Sequence, residues 1–173
     1  MDLAAHLIPG KLWFGAAPFD LTSLQELVDN GINVFIDLTM DGETYPNKQP
    51  IFDYRSLVKN YYKFPFENQG FPTDVNQFHQ FICWFDSIYR DPTSKIYIHC
   101  REGHGRSGLM AACLVMKQFN ISAAMALNMV WSAHQARKTM KIRYRKIGVP
   151  QTKAQKDFVQ QYQSFLTQLG RAD

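Results

Sequence analysis

The chain has 173 residues, and its 19 Lys and Arg against 15 Asp and Glu give a formal net charge of +4. Apolar residues make up 46% and charged residues 20%, a globular composition that excludes intrinsic disorder as the global state. The length fits one domain, so we assign residues 1–173 to a single unit.

No membrane span or leader is predicted. The longest uninterrupted apolar run, 109–116, falls far short of the roughly 20 residues that cross a bilayer. The amino terminus carries Asp2 where a signal peptide needs positive charge, so we expect a cytoplasmic or nuclear protein. Three cysteines, Cys83, Cys100 and Cys113, cannot all pair, which argues against a disulfide framework.

Apolar periodicity predicts strands alternating with helices. In the first half of the chain we predict a strand at 12–14, a helix at 22–30, a strand at 32–38 that is buried on both faces and central in its sheet, and a strand at 61–66. A helix opened by Pro72 and Thr73 and a strand at 95–99 follow. The second half continues with a helix from Ser107, a helix capped by Ser122 and running to about Ala136, and a last helix at 155–169. This order predicts an α/β fold with a central, mostly parallel, twisted sheet flanked by helices. Residues 39–60 remain unassigned.

The segment 98–108, IHCREGHGRSG, runs from a strand end through a glycine-containing loop into a helix amino terminus. Such a loop directs backbone N–H groups at one point and binds an anion, and Gly103 and Gly105 permit the tight path. At its base, the helix dipole and a nearby guanidinium favour the thiolate of Cys100, which is a capable nucleophile. Arg106 can grip two phosphoryl oxygens, and Ser107 can hydrogen-bond the sulfur.

HCREGHGRSG resembles the Cys-x5-Arg signature loop of the cysteine-based protein tyrosine phosphatases, including the dual-specificity branch. The segments GINVFIDLT at 31–39 and PQTKAQKDF at 150–158 are similar to further parts of that family. The resemblance implies a cysteinyl-phosphate intermediate on Cys100, hydrolysed by water, with no metal or other cofactor. It implies that His99 supports the loop, that Gln151 and Gln155 help to place the water, and that the phosphate is held by Arg101, Glu102, Gly103, His104, Gly105 and Arg106. Arg101 and His104 lie at the predicted rim, where they either favour a multiply anionic substrate or are solvated.

One position departs from the family pattern. Family members usually take the leaving-group proton from an Asp on the loop that corresponds to 64–72, and this chain has Asn68 there. The neighbouring Glu67 is the candidate general acid, with Asp74 the next carboxyl group along the chain. Without an acid, good leaving groups are cleaved and poor alkyl leaving groups are left.

The favoured hypothesis is a phosphatase acting on phosphotyrosine, and second on phosphoserine or phosphothreonine, in proteins. The alternative from the same superfamily is an RNA 5′-triphosphatase or a phosphoinositide phosphatase. A phosphate-binding module that is weak in catalysis is least favoured, because Cys100 and Arg106 are both present.

Positive charge concentrates in the carboxyl half. Residues 103–156 contain no Asp or Glu, and the basic tract from Arg137 to Lys146 contains six of their ten Lys and Arg. The tract is either a solvated loop or a contact surface for RNA or phosphoinositide.

Overall fold

The computed structural model describes residues 3–137 and 142–170. Five strands form one sheet in the order β1-β2-β5-β3-β4. β2, β5, β3 and β4 run parallel to one another, and β1 pairs antiparallel with β2. The predicted mostly parallel α/β sheet is therefore confirmed. The strands are β1 (Ala4–Ile8), β2 (Leu12–Ala16), β3 (Val34–Asp37), β4 (Tyr61–Lys63) and β5 (Ile96–Cys100).

The helices are α1 (Leu21–Asp29), α2 (Val75–Arg90), α3 (Arg106–Phe119), α4 (Ala123–Gln135), α5 (Ile142–Ile147) and α6 (Lys153–Leu169). Side-chain oxygens cap four of them by accepting a hydrogen bond from a backbone N–H of the first turn, and the caps are Asp20, Asp74, Ser122 and Thr152. The predicted cap at Ser122 is confirmed. No helix in the described part of the chain is both long and apolar enough to cross a bilayer.

The middle of the sheet is β5, all of whose residues are buried, rather than β3 as predicted. β3 is also buried throughout, but it lies second from the edge because β4 follows it. Helix α3 is buried from Arg106 to Met116 and lies against β5, α4 and α6. The predicted nucleophile segment thus joins two largely buried elements of the fold.

One strand and one α-helix were not predicted. β1 is an edge strand joined to β2 by a turn at Pro9 and Gly10, and α5 is a helix of 6 residues inside the basic tract. β4 is shorter than the predicted 61–66, since Pro65 has no N–H to continue the ladder. Residues 39–60 hold a single turn of 3-10 helix, Arg55–Leu57, and an isolated bridge between Thr44 and Pro50.

Candidate active site

The loop between β5 and α3 closes tightly against the end of β2. Gly103 has φ +74°, and a Cβ there would lie 2.3 Å from the carbonyl carbon of Gly15. The backbone N–H of Ala17 donates to the carbonyl oxygen of Cys100 over 2.7 Å. A side chain at position 103 would therefore overlap the main chain of β2, so the cradle formed by residues 100–106 depends on glycine at this point.

Cys100 lies at the base of this cradle. Its residue is 4% exposed, and its Sγ is 3.5 Å from Oγ of Ser107. Helix α3 begins directly after the cradle, and no side chain caps its amino terminus. The first N–H groups of α3 are therefore open to an anion beside the sulfur.

Arg106 is almost fully buried, with 1% of its surface exposed. Its Nη1 and Nη2 donate to the two carboxylate oxygens of Glu43 over 2.7 and 2.6 Å. Nη1 also donates to the carbonyl oxygens of Leu38 and Phe66, each over 3.1 Å. The Nε atom has no partner in the described part of the chain. The Nε edge of the guanidinium is thus left for an incoming oxyanion.

The pair of Arg106 and Glu43 is held in its charged form by the surrounding electrostatics. Burial alone would raise the pKa of Glu43, but the hydrogen bonds and charge of Arg106 outweigh it and hold that pKa below its ordinary value. Arg101 adds a second positive charge 3.9 Å from Glu43, and its guanidinium donates to the carbonyl oxygen of Thr44 over 3.0 Å. The 39–60 loop is therefore fastened to the cradle by two arginines.

His99 anchors the end of β5 through buried contacts. It is fully buried, its Nε2 is hydrogen-bonded to the hydroxyl of Tyr54, and its Nδ1 lies 3.7 Å from Asp37. Burial lowers the pKa of His99, which keeps the ring neutral, although the charge of Asp37 acts in the opposite direction. Asp37 also accepts hydrogen bonds from Thr39 and Tyr61. His99 therefore lies in a buried network beneath the cradle.

The rim of the cradle is made partly by the basic tract. Tyr144 of α5 donates to Glu102 over 2.7 Å, and its ring stacks on His104 at 3.9 Å between centroids. His104 is in turn hydrogen-bonded to His134 over 3.2 Å. Arg137 donates to the carbonyl oxygen of Gly103 over 3.2 Å.

These contacts correct two predicted alternatives, in which the rim histidine and the basic tract are exposed to solvent. His104, Arg137 and Tyr144 are 5%, 6% and 8% exposed, so neither the rim histidine nor these parts of the tract are solvated. The reason is local: His104 and Tyr144 stack on each other, and Nη1 of Arg137 donates to the Gly103 carbonyl of the cradle. Residues 138–141 of the tract lie outside the described residues.

The loop at 64–72 borders the site, and its backbone is held in place. The carbonyl of Phe66 accepts from Arg106, and the carbonyl of Gly70 accepts from Nε2 of Gln155 over 2.9 Å. Glu67 and Asn68 are both exposed, and neither side chain has a hydrogen-bond partner among the described residues. The structure thus places both candidate positions at the edge of the site on a fixed backbone.

The two predicted glutamines, Gln151 and Gln155, occupy different environments. Gln155 is fully buried and lies against the cradle, where a Cβ on Gly105 would come within 2.9 Å of its amide nitrogen. Gln151 is half-buried in the turn before α6, and no side-chain hydrogen bond joins it to the cradle among the described residues. Gln155 is therefore the glutamine that the fold brings to the site.

Sequence reasoning missed Glu43, Asp37 and Tyr54. Glu43 lies in the unassigned loop, and nothing in the local pattern marks it as a partner of Arg106. Across the described residues no group of three or more His, Cys, Asp or Glu side chains is arranged to hold a metal ion.

This fold and cradle define a class, that of the cysteine-based protein tyrosine phosphatases. The solved structure described as "Crystal Structure of PTPMT1 in complex with PI(5)P" has the same fold, with a TM-score of 0.72 over 99% of this chain and 100% of that one, at 16% identity. The chain belongs to the family described as the Swiss Army Knife protein, DSP-PTPase phosphatase domain, which matches residues 2–159.

Two viral proteins are related in sequence. "Putative tyrosine phosphatase 067L" of Invertebrate iridescent virus 3 is 32% identical over 164 residues, and "Putative tyrosine phosphatase 197R" of Invertebrate iridescent virus 6 is 33% identical over 151 residues. These matches cover 94% and 86% of this chain but 66% and 49% of the relatives. The chain thus corresponds to part of each viral protein.

Proposed function

We propose that the protein hydrolyses phosphomonoesters through a cysteinyl-phosphate intermediate on Cys100, with phosphotyrosine in proteins as the first substrate and phosphoserine or phosphothreonine as the second. The observation that carries the proposal is that one loop holds the buried Cys100 sulfur 3.5 Å from Ser107 and runs directly into the uncapped helix α3, which begins at Arg106, whose Nε has no partner among the described residues. A phosphoryl group placed there meets a nucleophile and donors for its oxygens together.

In the first step the Cys100 thiolate attacks phosphorus, the S–P bond forms and the ester P–O bond breaks. Arg106 donates to two non-bridging oxygens, because Glu43 already holds the other side of the guanidinium. In the second step water attacks phosphorus and the thiolate leaves. Ser107 Oγ, 3.5 Å from the sulfur, supports the departing thiolate, and Gln155 lies where it can orient the water.

The leaving oxygen needs a proton in proportion to its basicity. Asn68 cannot supply one as an acid, so Glu67 is the candidate on the same exposed stretch. General acid assistance is worth about 10² to 10⁴ in rate. An aryl leaving group such as tyrosine depends on it less than an alkyl one, and this difference supports phosphotyrosine ahead of phosphoserine and phosphothreonine.

A second candidate substrate class, phosphoinositides or RNA 5′-triphosphate, is supported by Asn68 and by positive charge at the rim from Arg101 and Arg137. The similar structure of PTPMT1 was solved with PI(5)P.

The location that goes with the first candidate, a phosphoprotein substrate, is cytoplasmic or nuclear.

The test is capture of the intermediate. Wild type quenched in acid during turnover of a ³²P-labelled phosphotyrosine peptide is expected to carry label on protein, and Cys100→Ser is expected to carry none and to lose turnover of p-nitrophenyl phosphate. Cys83→Ser, which changes an exposed cysteine on α2, is the matched control and should behave as wild type. Label retained in Cys100→Ser would contradict the proposal.

A further inference from the structure

A pocket of about 440 Å³ lies outside the cradle, between α4, the end of α5 and the start of α6. None of the cradle residues 100–106 lines it. Its size falls within the range of roughly 300 to 1,000 Å³ in which proteins bind small molecules. The apolar part of its lining comes from Leu127, Trp131, Ile147 and Val149, and its positive charge comes from Lys146 and Lys156.

Gly148 keeps the centre of this pocket open. Its φ is +88°, and a Cβ at this position would lie 3.3 Å from Nζ of Lys156 and 3.5 Å from Cζ3 of the Trp131 ring. The ammonium group and the indole ring therefore face the same small space, which a side chain at position 148 would fill. A ligand that enters this space meets a positive charge and an aromatic surface together.

The two lysines of the pocket have no acidic partner in the described part of the chain. None of the described ion pairs includes Lys146 or Lys156. Residues 103–156 contain no Asp or Glu, and the next carboxylate along the chain, Asp157, is paired with Lys153 over 2.6 Å. No Asp or Glu is among the described residues that line the pocket. The pocket therefore has a positive charge that an anionic group of a ligand would complement.

The apolar side of the pocket is anchored at its base and open towards solvent. Val149 is 3% exposed, and its Cγ1 packs against the first turn of α3, where it would lie 2.3 Å from a Cβ on Gly108. Trp131 and Leu127 are half-buried, and Ile147 is 44% exposed. A ligand with an apolar body would remove this surface from water, which favours binding.

We infer that this pocket binds a small amphiphile, an apolar chain that carries an anionic carboxylate or phosphate head. The ammonium groups of Lys146 and Lys156 attract the head, and the apolar side chains cover the chain. The size of the pocket favours a small molecule over a protein, because a stable protein interface buries about 800 Å² on each partner. Since the cradle residues do not line the pocket, the amphiphile and a substrate phosphate bind at the same time.

The experiment follows the indole N–H signals in heteronuclear NMR spectra during titration with octanoate. The signal of Trp131 is expected to shift, whereas that of Trp84, which is 36% exposed on α2 and outside the pocket, is expected to stay in place. Octyl phosphate, measured with Cys100→Ser so that it is not turned over, distinguishes a phosphate head from a carboxylate head. Acetate lacks the apolar chain and octylammonium reverses the charge, so both are expected to bind at least tenfold more weakly than octanoate.

Charge at the pocket is tested by the double variant Lys146→Gln and Lys156→Gln. Its Kd for octanoate is expected to rise at least tenfold, because both positive charges of the lining are removed. Lys153→Gln is the matched control, since Lys153 is an exposed lysine on the same turn of α6 that is already paired with Asp157. The Kd of this control should equal that of wild type. Inorganic phosphate, as a ligand of the cradle, should not displace octanoate.

Equal affinity for octanoate and octylammonium would overturn the inference, because apolar contact alone would then account for binding. Equal affinity for acetate or an unchanged Kd in the double variant would do the same. Displacement of octanoate by inorganic phosphate would place the ligand in the cradle instead. Binding to phosphatidylglycerol vesicles through Lys146 and Lys156, without binding of free octanoate, would replace the pocket by a membrane-contacting surface. None of these results depends on turnover at Cys100, so the proposed function is tested separately.

Discussion

Glu43 grips the guanidinium of Arg106 through two hydrogen bonds of 2.7 and 2.6 Å, although the two residues are 63 positions apart in the chain. The carboxylate occupies Nη1 and Nη2, and Nε has no partner among the described residues. Glu43 is itself fixed, because one of its oxygens accepts from the backbone N–H of Met40 over 3.1 Å. The orientation of the Arg106 guanidinium is therefore set from the 39–60 loop.

Glu43→Gln should lower kcat/KM for p-nitrophenyl phosphate about tenfold to hundredfold, because the charge-assisted pair that orients Arg106 is replaced by a weaker neutral contact. Steady-state kinetics with phosphate inhibition measures the effect. Asp41→Asn is the matched control: it removes a carboxylate from the same loop, but Asp41 is exposed and pairs with Lys63. Equal losses in the two variants would contradict an orienting role for Glu43.

The local part of the site could be predicted from sequence, and the long-range part could not. Cys100, Arg106 and Ser107 lie within one strand, loop and helix start, so their types and spacing determine their arrangement. Glu43 meets Arg106 only because the 39–60 loop folds across the ends of β3 and β5, and no periodicity in that loop indicates its path. The short, highly basic α5 likewise carries no apolar stripe that would predict a helix.

Gly103→Ala should lower the free energy of unfolding by about 2 to 4 kcal/mol and abolish phosphate binding, since a Cβ at this φ of +74° overlaps the main chain of Gly15. Gly10 offers a matched comparison in the turn between β1 and β2, with φ +71° and no atom within 4 Å of an added Cβ. Gly10→Ala should cost about 1 kcal/mol, from backbone strain alone. Urea unfolding distinguishes the two, and equal costs would show that overlap with β2 is not the constraint.

Stability should fall in mild acid because of His134. Burial lowers the pKa of His134 to about 3, with the charges of Arg137 and Arg145 acting in the same direction. The unfolded chain then binds a proton near the ordinary pKa of 6.5 while the folded chain does not, so stability falls as the pH drops from 7 towards 3. The linkage is worth about 2 kcal/mol between pH 7 and pH 5.

His134→Gln keeps a hydrogen-bonding group beside His104 but does not titrate. The difference in its unfolding free energy between pH 7 and pH 5 should be about 2 kcal/mol smaller than that of wild type. His99, whose pKa is also lowered by burial, contributes to both proteins and cancels in this comparison. Identical pH dependence in the two proteins would refute the assignment to His134.

Asn68→Asp should raise kcat for alkyl phosphates by about tenfold or more, because it supplies an acid where the family pattern has one. It should change the rate for p-nitrophenyl phosphate little, since that leaving group needs no proton. Glu67→Gln on the same exposed stretch is the comparison. If Glu67→Gln alone steepens the dependence of rate on leaving-group pKa, Glu67 is the acid and Asn68 is not a defect.

Gln155→Ala should slow release of phosphate from the intermediate, giving a burst of p-nitrophenol followed by a steady rate about tenfold below that of wild type. Gln155 also accepts from the Thr152 N–H as part of the capping box of α6, so thermal unfolding should be followed alongside the kinetics. Gln151→Ala is the control from the preceding turn. Loss of the burst amplitude itself would place Gln155 in the first step instead.

The four hydrogen bonds of Arg106 also bear on how the molecule folds. They reach Leu38, Glu43 and Phe66, at sequence separations of 68, 63 and 40 residues. Closing such long loops is slow, because chain entropy is lost before the contacts form. During synthesis on the ribosome, the segments that follow β3 and β4 can form these hydrogen bonds only after residue 106 has emerged. The site should therefore be among the last parts of the protein to form during synthesis.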